Sequence, residues 1–226
     1  MKLIIVCLVC AGLVTAIVLI VKSMTTGNKS EAFMHKQGIQ KLIERFESPE
    51  RLGWQKPGDV IRLMQVKSND VIADIGAGTG YFSLRLADAA HKVIATDIND
   101  TFLHYLKKKK AKLVADGIIK NNKIEIRKTS SGETGLEDEE VDKIITVNTY
   151  HHFENRREYL HLLMKSLKPG GTLFVIDFKE GDLPIGPPAD HKISKKTIES
   201  ELKAAGFRVE TNESLLPYQL IIMAHK

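Results

Sequence analysis

The stretch "VIADIGAGTGYF", Val71 to Phe82, restricts this chain more than any other. Five residues dominated by apolar side chains read as a buried strand, and three glycines at alternate positions follow at once. Glycine accepts positive φ and lets a ligand approach the backbone closely. A strand, a glycine loop and then a helix, here through "YFSLRLADAA", form a nucleotide-binding turn. The dinucleotide fingerprint G-x-G-x-x-G/A is not met. Gly76, Gly78 and Gly80 run G-x-G-x-G, and Tyr81 stands where a third small residue is needed. Asp74, just before the glycines, is repulsive beside a pyrophosphate and attractive beside a ligand cation. Asp97, in "TDIND" after the next strand, suits two ribose hydroxyls, a role common to both kinds of nucleotide site.

Around that turn the chain alternates strand and helix patterns. Strands are expected at 71–75, 92–96, 123–127, 141–148 and 171–178, with "FRVET" and "YQLIIMAHK" closing the chain. Helices are expected from Thr101 to about Ala115, in "RREYLHLLMKSL" and in "KKTIESELKAAG" up to Gly206. This alternation implies an α/β, doubly wound, mostly parallel sheet. Right-handed crossovers place its first strand centrally, with the glycine loop at the switch point where ligands bind. The segment "KEGDLPIGPPADHKIS" (179–194) is long for a strand-to-helix link and is a candidate site cover. The acidic turn 130–140 reads as a solvated connection.

Before this domain lies "LIIVCLVCAGLVTAIVLIV", Leu3 to Val21, without one charge. A helix of that length spans roughly 28 Å, close to a bilayer's hydrocarbon core. The expectation is an uncleaved transmembrane anchor at 1–22, single-pass, then a connector and cap helix at 23–58 ("FMHKQGIQKLIERF"), then a domain at 59–226. A cleaved signal peptide is the alternative, but the apolar run continues past the small residues "VTA" straight to Lys22. Lys22, Lys29 and Lys36 outnumber Lys2 and lean the domain towards the cytoplasmic side. Cys7 and Cys10 are the only cysteines, so the domain carries neither a disulfide framework nor a thiolate zinc site. The net charge of +5 is mild, and the lysines lack the interleaved aromatics of a nucleic-acid groove. "LKKKKAKL" (106–113) reads as a solvated helix face, with membrane headgroups as its sharper use.

Four motifs in order, "VIADIGAGTGYF", "ATDIN", "VDKIITVNTYHHF" and "LKPGGTLFVIDF", resemble the class I S-adenosylmethionine-dependent methyltransferases, most of all their small-molecule, type 11-like group. The resemblance covers about residues 58–226. It implies a Rossmann-like sheet of seven strands with the last antiparallel, S-adenosyl-L-methionine as cofactor and no metal. It also implies that Asp74 and the backbone of Gly76, Ala77, Gly78 and Gly80, with Tyr81 next to them, hold the methionine part of the cofactor. Asp97 would take the ribose, Ile98 would pack on the adenine, and Asn148 and Tyr150 would stand at the rim where cofactor and acceptor meet. The family often has an acid and a small residue after the third strand to meet the adenine amine. This chain has "RKTSSG", so Ser130 or a carbonyl would substitute.

A methyltransferase mainly aligns the acceptor and excludes water, and needs a base only if the acceptor loses a proton. His151 and His152 are the candidate bases, because imidazole accepts a proton near neutrality; adjacent side chains diverge, so at most one faces a pocket. Both can equally be structural caps of the strand end. Asp177, ending the fifth strand, can orient an acceptor or cap a turn. Trp54 and Gln55 are candidates for a lid, and His191 for an acceptor contact. The expected function is methyl transfer by a membrane-anchored enzyme to a small or lipid-like acceptor. An NAD(P)-linked oxidoreductase and a non-catalytic S-adenosylmethionine-binding module are the alternatives.

Overall fold

The computed structural model describes residues 38–226, of which Gln40–Lys226 form one compact unit. The predicted anchor, both cysteines and residues 23–37 of the connector lie outside the described residues. Within them no helix is long and apolar enough to cross a membrane.

Three short helices lead in: α1 (Ile39–Phe46), α2 (Arg51–Gln55) and α3 (Pro57–Leu63). They are followed by β1 (Val71–Ile75), α4 (Ser83–Ala89), β2 (Lys92–Asp97), α5 (Asp100–Ala115), β3 (Ile124–Lys128) and β4 (Val141–Val147). The chain ends with α6 (Arg156–Ser166), β5 (Leu167–Phe178), α7 (Lys195–Ala204), β6 (Arg208–Asn212) and β7 (Gln219–His225). The seven strands lie in the order β3-β2-β1-β4-β5-β7-β6. The first five are parallel, while β7 runs antiparallel to both β5 and β6. The expected sheet is therefore present, with the antiparallel final strand inserted beside β5.

Period-two alternation divides the side chains between two cores. Ile72, Val93, Ile145 and Ile176 pack under α3, α4 and α5, against Val60, Leu86 and Leu106. Ala73, Ile94, Ile144 and Val175 pack under α6 and α7, against Leu160, Leu163, Ile198 and Leu202. Strands buried on both faces read as continuous apolar runs, which is how they were legible in the sequence. The helix ends follow local chemistry too. Asn99 accepts from Thr101 N and Phe102 N to cap α5, and Ser194 accepts from Thr197 N to cap α7.

One element differs from expectation. The strand predicted at 171–178 begins at Leu167, immediately after α6, because Leu167 pairs with Val141 before a register shift and Gly170 turns the chain at φ +76°. Isolated glycines and a proline obscured that extension in the sequence, since they ordinarily end strands.

Candidate active site

The carboxyl ends of β1, β2, β4 and β5 meet along one edge of the sheet, and the loops there bring the predicted residues together. The glycine loop is shaped by its neighbours. A side chain on Gly76, at φ +70°, would collide with the Thr149 side chain, and one on Gly80, at φ +79°, would collide with Leu106. Only glycine lets β1 turn this tightly between the loop after β4 and helix α5.

The loop's own N–H groups are largely committed. Gly76 N and Ala77 N both donate to Thr96 O, at 2.9 and 3.0 Å, and Gly80 N donates to Ala77 O at 2.8 Å. Gly78 N donates to Asp97 Oδ2 at 2.8 Å, and Asn99 N to Asp97 Oδ1 at 2.8 Å. Four of the five donors from Gly76 to Gly80 are thus used inside the protein, and Thr79 N has no acceptor among the described residues. Asp97 is fixed by two backbone donors at the end of β2. Burial raises its pKa against their pull. Each oxygen keeps a lone pair for a hydroxyl. Ile98 beside it is half-buried.

Asp74 is 2% exposed and accepts from Ser83 Oγ at 2.6 Å, so α4 is tied to the end of β1. Burial pushes its carboxyl up to about 6, with the Ser83 hydrogen bond opposing. It remains ionised at neutral pH. Tyr81 packs as a platform: the guanidinium carbons of Arg51 and Arg85 lie 3.9 and 3.8 Å from its ring centroid. Two cations that close reach one ring only from opposite faces. Arg51, from the lead-in helix α2, was not among the residues singled out from the sequence. Nothing but its closeness to Trp54 and Gln55 marked it there.

After β4 the chain makes a short 3-10 turn, Tyr150–His152. His151 Nδ1 lies 2.9 Å from both oxygens of Asp177, and His151 N donates to Asp177 Oδ2 at 3.2 Å. Two residues proposed separately are therefore one buried pair. His152 stacks 4.1 Å from the His151 ring, and burial first, then the neighbouring imidazole, pushes its pKa down to about 4. It is neutral at pH 7. His191, exposed in the long loop, adds to that depression.

Three expectations are corrected. Tyr150 does not stand at the rim. It is fully buried and its hydroxyl donates to Glu201 at 2.7 Å, because the alternation of the turn sends it into the α6–α7 core. Gln55 is not a mobile lid residue but a buried link: its amide donates to Gln219 Oε1 at 3.1 Å, and Gln219 in turn donates to Asn148 Oδ1. Asn148 sits at φ +57° under that restraint. Ser130 is exposed and donates to Glu133 at 2.8 Å, so it is turned to the acidic loop. Trp54 is half-buried, its ring 6.1 Å from that of Phe178. Among the described residues no group of acids, histidines or cysteines could hold a metal ion.

Fold and site together define an α/β protein with a glycine loop and two buried carboxylates, Asp74 and Asp97, at the carboxyl edge of its sheet. The comparisons agree. A methyltransferase domain family matches residues 73–175. A probable S-adenosylmethionine-dependent methyltransferase of Mycolicibacterium smegmatis is 24% identical over 165 residues, covering 70% of this chain and 60% of that protein. A ubiquinone/menaquinone biosynthesis C-methyltransferase of Pseudomonas putida is 27% identical, covering 53% of this chain and 46% of that protein. A crystal structure of an S-adenosylmethionine-dependent methyltransferase from Aquifex aeolicus superposes with a TM-score of 0.75 at 27% identity, covering 82% of this chain and 97% of that one. These matches support a class I S-adenosylmethionine-dependent methyltransferase of the type 11 group. It spans 60% or less of the length of these two curated relatives. The family's cofactor is S-adenosylmethionine, and the residues fit it: Asp97 keeps free acceptor capacity at the end of β2, Asp74 is a buried carboxylate under the loop, and the Thr79 hydroxyl is buried without a partner in the loop itself.

Proposed function

We propose that this chain transfers a methyl group from S-adenosylmethionine to a small acceptor that must lose a proton, with His151 as the base. The observation that carries the reading is the His151–Asp177 pair at the same sheet edge as the glycine loop, whose Gly76 packs on Thr149 two residues earlier. Asp177 accepts from Nδ1–H, which fixes the tautomer and leaves Nε2 as the basic nitrogen. The carboxylate then stabilises the imidazolium formed when Nε2 takes the acceptor's proton. His152, neutral beside it, does not repel that charge. When bound, the cofactor supplies an electrophilic methyl on a sulfonium; the protein supplies alignment, a base and a dry site. Asp74 attracts the cofactor's ammonium, and Asp97 orients its ribose. Asn148, restrained by Gln219, is a fixed polar group at the end of β4 for the acceptor to meet.

The acceptor is proposed to be lipid-soluble and the enzyme membrane-anchored through residues 1–22, with the domain on the cytoplasmic side. The support is the uncharged run Leu3–Val21, because tethering raises local concentration at a bilayer. The quinone-pathway name of the Pseudomonas relative favours the same acceptor class. Labelled-methyl transfer from S-adenosylmethionine into membrane and soluble extracts, with mass spectrometry of the product, tests both parts. A labelled product confined to the membrane lipids is expected. Label only in water-soluble metabolites removes the lipid acceptor, and no labelled product with a cofactor-loaded enzyme leaves a binding module.

A further inference from the structure

We propose that Arg51 anchors the α-carboxylate of the cofactor, so that Arg51 and Asp74 form a two-ended cradle for its zwitterionic tail. The proposal rests on the reading that this site holds S-adenosylmethionine, and it assigns a residue that lies outside the family match at 73–175.

Two observations carry it. The first is the small number of free donors. A carboxylate at a glycine loop is ordinarily met by free backbone N–H groups, yet Gly76, Ala77, Gly78 and Gly80 all donate to Thr96, Asp97 or Ala77, and Thr79 N is the one loop N–H without an acceptor among the described residues. The second is a surplus cation. Arg51 is 8% exposed and forms no ion pair among the described residues. Its Nε donates to Gln55, its Nη1 donates to Phe46 O at 2.8 Å, and its Nη2 has no acceptor among the described residues. A buried guanidinium without a carboxylate partner is costly and rare. Burial pushes its pKa down to about 10, against the more distant negative charges of Glu47 and Asp74.

The placement is suited to the task. The Arg51 guanidinium is held flat on Tyr81, the residue immediately after the last glycine, and Phe46, whose carbonyl it binds, reaches over Gly78. Arg85 closes the other face of Tyr81 and donates to Tyr81 O at 2.7 Å, which fixes the platform. Tyr81 is thus the mount for a group that supplements the backbone N–H donors. A planar fork already stacked and half-bonded loses little freedom on meeting a carboxylate. Gln55 continues from Arg51 to Gln219 and Asn148, so the carboxylate anchor and the acceptor edge share one hydrogen-bonded chain.

The test is calorimetric and needs no turnover. The full chain in mild detergent is titrated with S-adenosylmethionine and with decarboxylated S-adenosylmethionine, which keeps the ammonium and nucleoside but lacks the carboxylate. The native protein should prefer the intact cofactor by about 10- to 100-fold, the range of a charge-assisted pair. R51M should lose that preference, weakening the intact cofactor about 10-fold or more and the decarboxylated one less than about 3-fold; R51K should keep part of it. Equal weakening of both ligands by R51M, or unchanged affinity for the intact cofactor, overturns the proposal. Should R51M fail to fold by circular dichroism, the native ligand pair decides alone, and equal affinity for the two is then fatal. A native protein that binds neither ligand overturns the cofactor reading itself.

Discussion

Both carboxylate oxygens of Asp177 lie 2.9 Å from Nδ1 of His151. The two residues are 26 positions apart: His151 lies in the 3-10 turn after β4 and Asp177 near the end of β5, and the pairing of those strands sets them side by side. Replacing His151 with Gln should lower kcat by about 10²- to 10⁴-fold, the scale of a lost general base. Cofactor affinity should stay within about 3-fold, since the proposed role of His151 is toward the acceptor. D177N should act in the same direction while keeping most of the fold. An H151Q enzyme with native kcat would show that the acceptor needs no base.

Asp74 sets binding against stability. Its carboxyl is raised to about 6 by burial, so the folded state holds its proton more tightly than the unfolded chain. The sign follows: as pH rises from about 4 through 6, the folded form increasingly loses stability to this one group. D74N removes the buried charge and keeps an acceptor for Ser83. It should raise the Tm of the ligand-free protein at pH 7 by a few degrees. It should also weaken S-adenosylmethionine by about 10-fold or more, because the ammonium loses its counter-charge. In the native protein, cofactor affinity should fall as pH drops below about 6. Thermal melts and calorimetry on one sample check all three.

His152 works in the opposite direction. Burial holds its pKa down to about 4, so the unfolded chain takes up its proton first as the solution is acidified. The stability linked to His152 is complete above about 6.5 and is lost as pH falls towards 4. The groups that act on it are His151, Asp177 and His191. H152Q should flatten the acid limb of a denaturation profile between those limits, and an unchanged limb would place the sensitivity elsewhere.

Tyr150 should matter to stability and not to turnover. It is fully buried and its hydroxyl donates to Glu201, which Arg156 also holds at 2.8 Å. Y150F should cost about 1 kcal/mol in chemical denaturation, the usual worth of one such bond, with kcat and KM within about 2-fold. A large loss of kcat would return Tyr150 to the site.

Gly80 is a packing requirement. Its φ of +79° and its contact with Leu106, which is wholly buried, leave no room for a methyl group. G80A should destabilise the protein by about 2–4 kcal/mol, combining backbone strain with overpacking. L106A in the G80A background should recover part of the clash, which a denaturation double-mutant cycle would measure.

The sequence by itself determined the sheet and the nucleotide class. Short apolar runs such as 71–75 and 144–147, spaced between helix patterns, read as buried strands, and Asp74, the alternate glycines and Asp97 are local chemistry at fixed spacing. Those features are legible because each is set by neighbours in the chain. The tertiary structure decided what depends on distant residues. It joined His151 to Asp177, sent Tyr150 into the core, turned Ser130 to Glu133, and made Gln55 a link to Gln219 rather than a lid. It also spent four of the loop's N–H groups internally and set Arg51 against Tyr81. A hydrogen-bond donor is free or committed only with respect to the groups that folding brings beside it, and no local pattern carries that information.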